Sequence, residues 1–469
     1  MARYTYKRLS HESTGILERE SSRSFHHAGS TLIFEPGPLA RPDGGIDFGA
    51  IREAIESRLE RLPLYRSKLR WIPFENHPVW VDDREFNLDY HLRHTSLVRP
   101  GSTEQLRKLA ARVHGQRLDR SRPLWEGWVV EGLEGGRFAL MQKTHFALAE
   151  GNEPDLLEAV LSPDPDETYG PPAPFRPRPM PSALELVRDE VVRQARLVEK
   201  AVRRLRAPEP HRRREAFQAQ VESFAGMLGY AVRRLPETPL NGPVGPHRRF
   251  DFLSLPLAEA MAVRQARGGS LDDVVLTTLA GAAARYLGAH FVNPATLDFR
   301  VAVPIEGLVG NGRTGFSECV IELPVWERDP LRRFDLVRQR TAAAGFDASG
   351  SVAAPSEAVG FTSTRLLARG ARALTRAPVN LAFASVPGSA APLYLRGAKL
   401  VEAYGKLSLR KTSALSVSVL RYTDRLCWGF NADFDLVPDL HLFSAAVGEA
   451  FRELLRATTR PRLALARAS

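Results

Sequence analysis

Apolar residues in this chain switch repeatedly between the period of a strand and that of a helix. Thr31 to Phe34 is a short apolar run of strand character, and a turn-rich stretch follows from Pro36 to Gly45. Ile51, Ile55, Leu59 and Leu62 then recur at helical spacing on one face, which stops at Pro63. Ser102 opens a second helix with Gln105 as the partner of a capping box, and Leu106, Leu109 and Val113 form its apolar stripe. The next stretch predicts a hairpin: Trp125 to Leu133, a turn at Gly135 and Gly136, and a returning strand from Arg137 to Lys143. That strand delivers Thr144, His145 and Phe146 to its C-terminal end, and Asp155 to Val160 resumes as a helix.

Residues 162–182 are rich in proline and read as a linker. Leu184, Val187, Val191, Ala195, Val198, Val202 and Leu205 then recur at steps of three and four, with Arg188, Arg193, Arg196, Lys200 and Arg203 off the stripe. This is a long, basic, amphipathic helix, and Arg212 to Arg214 lie beyond it. The pattern changes again near Asn241. A strand is expected at Arg249–Leu255, a helix from Leu257, a break at Gly268 and Gly269, and a further helix that Ser270 caps with Asp273. Strands follow at Leu297–Pro304, Cys319–Val325, Val379–Val386, Ala414–Tyr422 and Arg425–Asn431, and a last helix runs from Leu440 to about Leu455. The reading is an α/β (α+β) chain with an N-terminal domain at 1–161, a linker and basic helix at 162–240, and a C-terminal domain at 241–469.

Composition narrows the function classes. A length of 469 residues exceeds what one hydrophobic core usually organises, so two domains are expected. No apolar run approaches a membrane span, and Met1 to Glu20 carries no apolar signal-peptide core. Two cysteines, Cys319 and Cys427, give neither a disulfide framework nor a thiol metal cluster, which fits a cytoplasmic location. His26 and His27 lack a third ligand, so no metal is expected. The net charge of +11 comes without a nucleic-acid-binding motif, and its basic residues concentrate between Arg188 and Arg234, so no nucleic-acid partner is expected. On the long helix, that charge matches a peripheral contact with a membrane or lipid droplet.

Six passages, in order along the chain, carry a resemblance. Lys143-Thr144-His145-Phe146-Ala147-Leu148-Ala149-Glu150-Gly151 is similar to a catalytic stretch in which His-His is followed by three residues and Asp-Gly. Pro123-Leu124-Trp125 matches a Pro-Leu-Trp motif, and Leu240-Asn241-Gly242-Pro243 with Gly245 to Arg249 matches the start of a second domain. Asp272-Asp273 stands where Asn-Asp is usual, Ser385-Val386-Pro387-Gly388 where Asn-Val-Pro-Gly is usual, and Ala432 to Asp439 matches the passage before a final helix. Together they resemble the wax ester synthase/diacylglycerol acyltransferase family, within the superfamily that shares the His-His-Asp-Gly motif and includes condensation domains.

The resemblance implies two chloramphenicol-acetyltransferase-like domains between which an acyl thioester, acyl-CoA or an acyl carrier, meets an alcohol or lipid acceptor. No cofactor is implied beyond the thioester substrate. In that chemistry the second histidine of the motif takes the hydroxyl proton. Here that position is Phe146, which cannot accept a proton, and the motif's Asp is Glu150, followed by Gly151. Asp272, Ser385 and Phe316 replace three further Asn positions, and Asp273 and the Pro123–Trp125 segment complete the expected substrate-binding set. Three readings stay open: transfer through His145 supported by Glu150, a non-catalytic relative that binds acyl chains or lipid, and a scaffold that uses the basic helix at a membrane or droplet surface.

Overall fold

A computed structural model describes residues 6–149, 155–205, 236–309, 313–344 and 378–459. Glu150, Gly151 and Arg212 to Arg214 lie outside the described residues, as do the side chains of Phe316, Lys200 and Arg203. The strands in chain order are β1 (Lys7–Arg8), β2 (His27–Phe34), β3 (Ser67–Trp71), β4 (Pro78–Asp82), β5 (Leu92–Ser96), β6 (Trp125–Glu131), β7 (Phe138–His145), β8 (Arg248–Pro256), β9 (Phe299–Val309), β10 (Arg313–Leu323), β11 (Leu381–Val386), β12 (Tyr394–Leu395), β13 (Ala398–Lys406), β14 (Leu415–Tyr422) and β15 (Arg425–Asp433).

Two six-stranded sheets organise the chain, in the orders β12-β13-β2-β7-β6-β5 and β10-β9-β11-β14-β15-β8, with a small sheet β1-β4-β3 beside the first. Both large sheets are mixed: β5 runs parallel to β6, and β11 runs parallel to β9 and β14. Two apolar cores back the sheets, and the first also takes in Phe250, Phe252, Val386 and Leu420 from the second sheet. The expected two-part α/β architecture is present.

The local signals operate as the sequence suggests. Ser102 caps the helix Thr103–Gly115 and Ser270 caps the helix Leu271–Ala289, each with both bonds of a capping box in place. The hairpin β6–β7 turns through Gly135 and Gly136 at φ 77° and 72°, a region where a side chain would be strained.

One pairing crosses between the halves. β13 follows the strands of the second sheet in sequence, yet it pairs antiparallel with β2, from Leu400 opposite Phe34 to Lys406 opposite Gly29. This closes the free edge of β2 and buries Ala398, Leu400 and Ala403 in the first core.

The helix Ala183–Leu205 docks on the small sheet by a side that its apolar stripe did not indicate. Leu186 packs on Ile72, Val79 and Val81, Glu190 pairs with Arg8, and Arg193 bridges Glu190 and Glu75. Leu184 and Val191, from the stripe, stay 79% and 63% exposed.

Candidate active site

Alternation along β7 sends Lys143 and His145 to one face and Gln142 and Thr144 to the other. On the first face, the Lys143 ammonium donates to the carbonyls of Val113 (3.1 Å) and Gln116 (3.0 Å), at the C-terminal end of the helix Thr103–Gly115. The Val113 carbonyl also accepts the C-cap amide of Gln116 at 3.4 Å, and the negative end of the helix dipole lies here, so a cation fits there. Glu126 on β6 completes the set at 3.1 Å. Burial is the main influence on Lys143 and lowers its pKa, against the opposing pull of Glu126.

The end of β7 is tied to the Pro123–Trp125 segment. Leu124 O accepts the His145 amide at 3.0 Å, and Trp125 lies opposite Thr144 across the strands. The Trp125 indole donates to Tyr65 O at 2.7 Å, and its ring stacks on His91. Pro123, Leu124 and Trp125 are all buried, so this motif anchors the strand that presents the site.

His145 is buried, and both of its ring nitrogens are engaged. Nδ1 accepts the amide of Ala147 at 3.0 Å, which leaves Nε2–H to face Glu20 Oε1 at 3.1 Å. Glu20 follows the first helix, His11–Glu18, and the sequence gave no motif by which to single it out. Its carboxylate also accepts the His26 amide at 2.5 Å and the Arg120 guanidinium at 2.5 Å. Burial pushes the Glu20 pKa up, but His145, the His26 amide and Arg120 outweigh it and hold the carboxyl well below its usual range.

Phe146 begins the 3₁₀ turn Phe146–Ala149 and is 1% exposed. Its amide donates to His26 O at 3.0 Å, and its ring lies 6.1 Å from the His26 ring, tilted by 56°. His26 is buried, and its Nδ1 has no hydrogen-bond partner. Burial is the largest cause that draws its pKa down to about 4, with Glu20 pulling the other way and basic neighbours, among them Arg19 and Lys411, adding to the fall. His27 Nε2 donates to His114 O at 2.8 Å, and burial holds both His27 and His114 well below the usual histidine range. Sequence spacing showed His26 and His27 only as an insufficient metal pair. Their place beside residue 146 arises because β2 and β7 pair with His27 opposite His145.

The expected C-terminal site residues fall elsewhere. Asp273 is the capping partner of Ser270 and accepts from Thr341 Oγ1 at 2.7 Å. Asp272 is buried beside it, Ser385 lies within β11 opposite Val419, and Phe316 lies on β10 opposite Glu306. Among the described residues no group of histidine, cysteine and carboxylate side chains could hold a metal ion, and no helix is long and apolar enough to cross a membrane.

A cleft of about 1130 Å³ opens where the helix Thr103–Gly115 meets β8. Arg107, Lys108, Arg112, Arg248 and Arg249 line it against the carboxylates of Glu104 and Asp251, so its walls are basic. His145 and Phe146 are not in those walls. The cleft reaches Gly115 and Arg248, one residue beyond the His114 carbonyl that His27 grips.

The model of the wax ester synthase/diacylglycerol acyltransferase catalytic domain matches residues 9–275, and that of the WS/DGAT C-terminal domain matches residues 314–455. A Mycobacterium tuberculosis (strain CDC 1551 / Oshkosh) protein, whose name assigns it provisionally as a diacylglycerol O-acyltransferase, is 30% identical over 429 residues, covering 88% of this chain and 83% of its own. The wax ester synthase/diacylglycerol acyltransferase from Marinobacter aquaeolei VT8 superposes with a TM-score of 0.66 at 23% identity, covering 96% of this chain and 99% of that one. The first condensation domain of the calcium-dependent antibiotic synthetase shares the fold at a TM-score of 0.53 and 15% identity, over 97% of each chain. The match across the catalytic domain and most of the C-terminal domain shows that this chain belongs to the wax ester synthase/diacylglycerol acyltransferase family.

Proposed function

We propose that this protein binds an acyl thioester, acyl-CoA or an acyl carrier, together with an alcohol or lipid acceptor, and that O-acyl transfer by the family's usual histidine is weak. One observation carries the reading: Phe146 is buried at the end of β7, and the motif resemblance puts the family's base at that residue. His145 is assigned a positioning role, because Glu20 and the Ala147 amide take both of its nitrogens. The basic cleft beside His114 supports recognition of a phosphate-bearing thioester. Thiol release from palmitoyl-CoA, with hexadecanol, diacylglycerol or water as acceptor, tests the proposal. The expected rate is at least about 10²-fold below that of a typical family member, the scale of a lost general base. Turnover at the family's ordinary rate would overturn it.

A second reading, contact with a membrane or lipid-droplet surface, is favoured by the outward face of the helix Ala183–Leu205. Leu184, Val191 and Val192 are exposed there beside the exposed Arg188 and Arg196. Liposome flotation should show binding that requires anionic lipid, weakens with salt, and falls when Arg188 and Arg196 become Glu. Equal binding to neutral liposomes would remove this reading.

A further inference from the structure

We propose that His26 serves as a substitute general base for acyl transfer in this chain. The inference rests on the reading of the protein as an acyl transferase with a vacated base at residue 146.

Three observations place His26 for that role. Its ring lies 6.1 Å from the ring of Phe146, so an imidazole stands within about one side chain of the position that lost one. The two backbones are joined by the Phe146 amide and the His26 carbonyl at 3.0 Å, which fixes the strand ends relative to each other. His26 and His114 each have an unpartnered Nδ1, and His26 is the one whose ring lies beside Phe146. His145 has both nitrogens bonded, whereas Nδ1 of the 9% exposed His26 has no partner. A buried ring nitrogen of this kind calls for a group to bond it, and the acceptor hydroxyl would be that group.

The surroundings suit the chemistry. Glu20 grips the His26 amide, and its charge favours the imidazolium that forms when the ring takes a proton. At neutral pH the ring is unprotonated and ready to accept, although its low basicity makes it a weaker base than an ordinary histidine. In the step, the acceptor hydroxyl gives its proton to His26 as its oxygen bonds to the thioester carbonyl carbon. The tetrahedral intermediate then collapses, the C–S bond breaks, and the imidazolium returns the proton to the departing thiolate. The products are an ester and a free thiol, and no oxidant or further reactant is needed.

Initial rates of thiol release from palmitoyl-CoA with hexadecanol, measured beside calorimetric binding of palmitoyl-CoA, test the assignment. His26→Ala and His26→Gln should each lower kcat by about 10²-fold while KM and palmitoyl-CoA affinity hold at the wild-type values. Imidazole should restore part of the rate to His26→Ala, and adding Phe146→His to that variant should restore turnover through the usual position. His26 variants that turn over at the wild-type rate would overturn the proposal. So would a wild-type protein that binds palmitoyl-CoA but releases no thiol. A loss that neither imidazole nor Phe146→His reverses would make His26 a structural residue, which also overturns it. Failure of the wild type to bind palmitoyl-CoA would instead remove the recognition reading, and this inference with it.

Discussion

The two six-stranded sheets have similar size and mixed topology, yet they bury charge in different ways. In the second half Arg300 and Arg333 are buried cations, each paired with a carboxylate. Arg300 pairs with Asp298, and Arg333 donates to the carbonyls of Glu327 and Arg328 and pairs with Glu453. The first half buries lysines and histidines beside one arginine, Arg58, and their support is uneven: Lys143 meets three oxygens, Lys406 far less. Lys406 is fully buried with the His27 carbonyl at 3.5 Å and the Phe25 ring at 5.8 Å, and Nδ1 of both His26 and His114 lacks a partner. The difference follows from chemistry. Arginine cannot shed its proton inside a protein, so burying it demands full coordination, whereas lysine and histidine can become neutral. Burial, the largest cause, lowers the pKa of Lys406 and of Lys143. Groups able to change protonation thus gather where β2, β7 and β13 meet, and groups that cannot are used as fixed struts.

Removing one carboxylate from each half should separate these two modes most sharply. Glu126→Ala leaves the fully buried Lys143 without its ion-pair partner, and a loss of about 3–5 kcal/mol is expected at pH 7. Deprotonating Lys143 becomes easier as pH rises toward its ordinary 10.5, so that deficit should shrink in denaturant titrations run from pH 7 to 10. Asp298→Ala, which takes a carboxylate from Arg300, should cost the same at every pH in that range. Matching pH dependence in the two variants would break the comparison.

Lys406→Met should act in the opposite direction and stabilise the protein by on the order of 1–4 kcal/mol at neutral pH, the range seen when apolar groups replace buried charge. The folded pKa lies below the unfolded one, so the unfolded state binds more protons and wild-type stability rises with pH in that window. The gain from Lys406→Met should therefore fade as pH approaches 10.5. A constant gain would show that Lys406 keeps its charge in the fold.

The smallest of the three effects concerns the carboxylate of the site. Glu20→Gln should cost about 1.5–3 kcal/mol, as for other hydrogen bonds to charged groups. The Glu20 pKa is depressed on folding, so its contribution is complete above the ordinary 4.5 and is lost as pH falls below it. Urea unfolding at pH 7 should show the full deficit, and wild type and variant should converge as the buffer is taken below pH 4.5.

Much of this was legible from local pattern. The capping boxes at Ser102 and Ser270, the Gly135-Gly136 hairpin and the helix from Leu257 each depend on neighbours a few positions away. The strand β13 escaped because its apolar positions have meaning only against β2, far away in sequence. On the long helix the stripe of Leu184, Val187 and Val191 was real. The docking side was chosen instead by Leu186, Glu190 and Arg193, through partners on the small sheet.

By itself, the sequence determined the family and the two-part architecture, and it placed a phenylalanine at residue 146, because motifs and periodicities are local facts about residue types. Tertiary structure alone decided that Glu20, Arg120 and His26 gather around His145, and that His145 has no nitrogen to spare. The register of β2 against β7, with His27 opposite His145, brings those groups together. A pairing register is a long-range choice made by burial across the whole sheet, and no short stretch of the chain contains it.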